Sequence, residues 1–132
     1  MAYVIAYGAS ALVMAGLDFV WLSAMANPLY RRHLGAVMAD NPDMKAAVAF
    51  YVVYLFGILY FAVRPALAAA DWRAAALNGA LFGFFAYATY DLTNLATLKA
   101  WSLPVSLIDM AWGAALTAAA STAGALAAFR IR

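Results

Sequence analysis

Apolar positions run along this chain in four long stretches separated by short polar breaks. The stretches cover about residues 3–26, 46–63, 72–98 and 103–129. At 1.5 Å per helical residue, each is of the length that crosses the roughly 30 Å apolar layer of a bilayer. The pattern predicts an all-α, polytopic membrane protein: a four-transmembrane-helix bundle with short loops, forming one domain over residues 1–132.

The third stretch is the most informative. From Gly79 to Trp101 it reads GALFGFFAYATYDLTNLATLKAW. At 100° per residue, Gly79, Gly83, Tyr87, Tyr90, Asp91, Asn94 and Thr97 fall within an arc of roughly 120°. Leu81, Phe85, Ala88, Leu92 and Leu95 cover the other side. A small, polar face opposite an apolar one predicts a membrane helix whose polar side is turned towards its neighbours.

The breaks carry start and stop signals. Asn27-Pro28 and Asn41-Pro42-Asp43 each pair a capping residue with a proline suited to the first turn. The first is expected to open a short interfacial helix holding Tyr30, Arg31, Arg32 and His33, and the second to open span two. Span two is expected to stop at Arg64-Pro65, and a connection of about eight residues leads to Asp71, the N-cap of span three. Lys99, Trp101, Ser102 and Pro104 form the last turn. Trp72 and Trp101, near span ends, read as interface anchors, and His33 as an interfacial residue. Ala24-Met25-Ala26 resembles a signal-peptide cleavage site, but no Lys or Arg precedes the apolar run and Asp18 interrupts it. The segment therefore reads as span one.

Composition agrees with a bilayer setting: 69% of residues are hydrophobic, 11% are charged, and mean hydropathy is +0.86. A soluble domain is about half apolar and a quarter charged. A net charge of +2 offers no footprint for nucleic acid, and the absence of cysteine excludes disulfides and thiolate metal sites. Arg64, Arg73, Arg130 and Arg132 lie on one side of the four spans, and Arg31, Arg32, Lys45 and Lys99 on the other. This balance fixes no orientation, and the basic C-terminal tail favours cytoplasmic termini.

The charges inside the spans are all acidic. Asp18, Asp91 and Asp109 lie within apolar stretches, at a cost of roughly 8–10 kcal/mol together on an insertion scale. Counting helical rise, Asp18 comes about 12 Å, and Asp91 and Asp109 about 10 Å, from the membrane face that carries the first loop. Tyr51 and Tyr54 fall at roughly 7–12 Å. Three carboxyls from three helices are thus expected at one level, lining a pocket that opens towards Arg31 and Arg32. A shared proton, a cation, or Lys99 or Arg31 reaching in would neutralise them. The plainer alternative is that these polar groups simply bind the helices together, with Asp91 and Asn94 meeting tyrosine hydroxyls. Tyr90-Asp91 lacks the glycine-rich partner of an intramembrane aspartyl protease. No Ser-His or Cys-His pair, phosphate loop or His-rich metal cluster is present. A carboxylate-only site could take a hard cation such as Mg²⁺ or Ca²⁺, but nothing in the spacing demands one, and the cofactor is left open.

The runs Gly79–Gly83, Tyr87, Thr89–Trp101, Asp109–Gly113, Asp18–Leu22 and Phe50–Tyr54 together resemble an uncharacterised bacterial membrane family, domain of unknown function 2177. The resemblance covers almost the whole chain. It implies a four-span protein of the bacterial inner membrane and supplies no activity.

Three functions are compatible with these residues. The first is a polar pocket that binds, with or without modifying it, a small molecule or lipid headgroup. Asp91 is then the central acid-base group, Asp18 and Asp109 set its protonation, Tyr87, Tyr90, Asn94, Tyr51, Tyr54 and Trp112 line the pocket, and Arg31 and Arg32 stand at its mouth. The second is a small proton-coupled transporter acting as a homodimer. The third is an accessory subunit that docks a larger complex through the Gly/Ala face of span four.

Overall fold

The computed structural model describes residues Met1–Arg132 and contains helices, turns and loops but no strand. Helix α1 (Ala2–Met25) runs directly into a π-helical turn (Ala26–Arg31) and a final turn, α2 (Arg32–Leu34). After a loop, α3 (Met44–Ile58) continues through a second π-helical turn (Leu59–Val63) into α4 (Arg64–Ala69). Helices α5 (Trp72–Thr97) and α6 (Leu103–Arg130) complete the chain. The continuous helical segments Ala2–Leu34, Met44–Ala69 and Leu103–Arg130 are long and apolar enough to cross a membrane. Helix α5 has 26 residues, but Asn78, Asp91, Asn94 and its threonines make it the most polar of the long helices.

Two prolines behave differently from their sequence expectation. Pro28 does not open a separate helix, and Pro65 does not end span two. A proline within a helix lacks a donor, and its ring crowds the carbonyl four residues back. Here a π-helical turn contains Pro28 and another immediately precedes Arg64-Pro65, so the wider turn absorbs each conflict and the helix continues. The second segment ends instead at Ala70, which adopts φ 52°, ψ 38°, the left-handed conformation of a helix stop.

Caps set the other boundaries. Asp43, rather than Asn41, caps α3 by accepting from the backbone N–H groups of Lys45 and Ala46. Asp71 caps α5 through Arg73, and Ser102 caps α6 through Val105, with Pro104 in the first turn. At the far end, an Arg132 guanidinium N–H donates to the Leu67 carbonyl and ties the tail to α4.

Helix α6 is the centre of the molecule and packs chiefly along α5 and α1. Its small residues make this possible. A Cβ at Gly79 would stand 2.6 Å from Ser121 Oγ and 2.8 Å from the Thr117 carbonyl oxygen. One at Gly83 would overlap the Gly113 carbonyl and the Thr117 side chain, and one at Gly124 would overlap Ser10 Oγ. The backbones thus approach as small-residue membrane interfaces do. The Gly/Ala face of α6 is therefore occupied within the chain, by α1 and α5. Ser10 Oγ donates to the Ala120 carbonyl at 2.8 Å and adds a polar tie between α1 and α6. Met14, Tyr54, Ile58 and Leu116 fill the core between the helices.

The apolar face of α5 points outwards, with Leu81, Phe85 and Leu92 exposed, while Gly79, Gly83 and Asp91 are buried. On the exposed side, Thr89, Thr93 and Thr97 each donate to the carbonyl four residues back, so their hydroxyls need no external partner.

The close α5–α6 approach predicts opposite outcomes for two substitutions. Gly83→Ala should destabilise the protein by about 1–3 kcal/mol through overpacking. Gly8→Ala, where nothing lies within 4 Å of the new Cβ, should be neutral or gain up to about 1 kcal/mol from helix propensity. Thermal unfolding of the two variants in detergent checks the contrast.

Candidate functional site

The buried carboxyls sit where α6 meets α5 and the end of the first helical segment. Asp91 on α5 is 1% exposed and Asp109 on α6 is 8% exposed. Both line the smaller cavity, so two carboxyls border one space. An ionised carboxylate can only accept, so each needs a donor from elsewhere. Asp91 Oδ2 is buried and is met by no donor from the protein.

Asp109 is held by a residue that the sequence had placed in a separate interfacial helix. The Tyr30 hydroxyl donates to Asp109 Oδ1 at 2.7 Å and accepts from Trp21 Nε1 at 3.0 Å. Nine residues of regular α-helix would put Tyr30 on the opposite side of the helix from Trp21. The intervening π-helical turn swings it back. A proline pair inside a helix was the available signal, and it was read as a start instead of a widening.

Asp18 belongs to the next layer. Its carboxylate accepts from the Tyr51 hydroxyl and, at 3.1 Å, from Trp112 Nε1. Trp112 follows Asp109 by three residues on α6, and Asp18 and Asp109 border one cavity. The first segment continues to Leu34, so its end lies well beyond Ala26. The two layers are joined by the Trp21 and Trp112 rings, stacked at a centroid separation of 4.3 Å and an angle of 7°.

Two cavities flank this network. The larger, about 410 Å³, is bounded by Asp18, Asp109 and mostly aromatic side chains, including Trp21, Tyr51, Tyr87 and Trp112. The smaller, about 330 Å³, is bounded by Asp91, Asp109, Trp101 and the loop residues Val37, Met38 and Ala39. Tyr30, Tyr90 and Asp109 line both. No Lys, Arg or His lines either cavity, and no group of three Asp or His side chains is arranged to hold a metal ion.

The remaining expected site residues divide. Tyr87 lines the larger cavity and packs its ring over Gly113, and Tyr90 stands between the two cavities. Tyr54 is buried outside them, its hydroxyl paired with Thr117 Oγ1 at 2.7 Å and its ring stacked on Phe50 and Phe82. Asn94 is half-buried and lines neither cavity, and Arg31 and Arg32 are exposed and outside both. Trp101 does more than mark a span end: it donates to Ser106 Oγ at 3.1 Å and meets Tyr90 edge-on at 5.5 Å. Phe50 and Trp101 also line the cavities, although sequence spacing did not single them out as pocket residues.

Removing the bridging hydroxyl tests this network. Tyr30→Phe leaves both Asp109 and Trp21 without a partner and should cost about 1–2 kcal/mol in unfolding free energy. Tyr7→Phe, which removes an exposed bond of 3.2 Å to the Val52 carbonyl, should stay within about 0.5 kcal/mol of the parent. Denaturant titration in detergent measures both.

The comparisons are consistent with the apolar helices. No curated protein and no solved structure matches the chain. Residues 3–126 match the model of a family described as "Predicted membrane protein (DUF2177)". The chain belongs to that membrane protein family.

Proposed function

We propose that the protein is a four-span bundle of the bacterial inner membrane, with cytoplasmic termini, whose paired cavities bind a small molecule or a lipid headgroup. The observation that carries this reading is Asp91: a carboxyl 1% exposed, with one oxygen lacking any protein donor, at the wall of a cavity. A group that only stitched helices together would be paired with another protein group, as the Ser10 and Tyr54 hydroxyls are. An unmatched acceptor of this kind is costly unless a ligand or a proton completes it.

Asp91 is the central hydrogen-bonding group, Asp109 couples the two cavities, and Tyr87, Tyr90, Tyr51 and Trp112 shape the larger one. Arg31 and Arg32, directly after Tyr30, gather an anionic headgroup at the mouth. The polar content of α5 is compatible with a fourth span because its threonines bond internally and its Asp faces α6.

Purification of the full chain with native lipid, followed by native mass spectrometry, tests the proposal. A bound species should accompany the parent and be depleted at least about tenfold in Asp91→Asn. Retention of the same species at the same occupancy in Asp91→Asn would remove Asp91 from the site.

A further inference from the structure

The lining of the larger cavity specifies a chemistry for its occupant. Of its eleven lining residues, two are Asp and none is basic, while aromatic rings make up most of the rest. Rings supplied by Trp21, Tyr30, Phe50, Tyr51, Tyr87 and Trp112 converge from four directions of the bundle. They come from the first segment, α3, α5 and α6. An ionised carboxylate offers about four acceptor positions. Tyr51 and Trp112 take two of those on Asp18, so acceptor capacity remains beside the rings. Aromatic rings gathered around a carboxyl that no Lys, Arg or His neutralises form an environment that attracts an organic cation. The ring quadrupole and the acid act on the same positive group, and an apolar surround strengthens both.

Resting on the reading of the cavities as a binding site, we propose that the larger cavity is a cage for an alkylammonium group. The volume of about 410 Å³ accommodates a headgroup or a small amphiphilic amine. Asp18 and Asp109 supply the counter-charge. The stacked Trp21–Trp112 pair forms a rigid part of the wall. Arg31 and Arg32, exposed after Tyr30, complement the phosphate of a zwitterionic headgroup whose ammonium enters the cage. A free amine from the lipid phase satisfies the same cage without them.

The test is a titration of the full chain in nanodiscs with benzyltrimethylammonium, read by intrinsic tryptophan fluorescence. Neopentylbenzene, its uncharged isostere, is the control. The cation should give a saturable change and the isostere none. Asp18→Asn should weaken cation binding about tenfold or more, and Phe50→Leu, which removes a ring without removing a hydrogen bond, several-fold. Discs of phosphatidylethanolamine are compared with discs of phosphatidylglycerol. Weaker apparent binding in the ethanolamine discs identifies the lipid headgroup as the competing source, and equal binding identifies a free amine. Equal binding of cation and isostere overturns the cation cage while leaving a pocket that binds ligands. No response to either probe overturns the cage too, and the pocket reading then stands or falls on the species found by mass spectrometry.

Discussion

The hydroxyl of Tyr30, set between the Trp21 indole and the Asp109 carboxyl, is the contact on which the polar half of the molecule depends. Away from water a hydrogen-bonding group has to be met by another, and the alternatives are costly. One phenol satisfies a donor on its own helical segment and an acceptor on α6. It thereby fixes the end of the first segment against the central helix. From that anchor the network descends through the stacked tryptophans to Asp18 and Tyr51. Asp91 stands to one side, on the wall of the smaller cavity with Asp109, its buried Oδ2 unmatched.

The two halves of the bundle solve different problems. At Gly79 and Gly83 on α5 and at Gly124 on α6, a side chain is absent where backbone and small hydroxyls crowd in, and at Gly113 the Tyr87 ring fills that place. Towards the loop that follows α2, the same helices carry Tyr87, Tyr90, Asp109 and Trp112, which border the cavities together with the first segment. Small residues make the seam, and larger ones frame the cavities. Helix α6 serves both, with small residues in its second half and Asp109 and Trp112 in its first.

Much of the helical architecture was legible because it follows from length and from one-sided patterning. The apolar runs, the cap at Asp71, and the buried side of α5 at Gly79, Gly83 and Asp91 all follow from rules that act within a few residues. The continuations through Pro28 and Pro65 were not legible. A proline carries the same local signal whether it starts a helix or sits in a widened turn, and packing decides between them. That single ambiguity propagated. It separated Tyr30 from the helix it completes. Tyr54 was correctly seen as a polar group within the bundle, but its partner is Thr117 rather than a carboxyl. Choice of partner is a tertiary matter, invisible to spacing along one helix.

The most direct test of the Tyr30–Asp109 linkage is a double-mutant cycle built from Tyr30→Phe, Asp109→Ala and the combined variant, followed by denaturant titration in detergent. Direct pairing requires the two substitutions to be non-additive, with a coupling free energy of about 1 kcal/mol. Additivity within about 0.3 kcal/mol would mean that the two residues do not sense each other, and the network described above would lose its central joint.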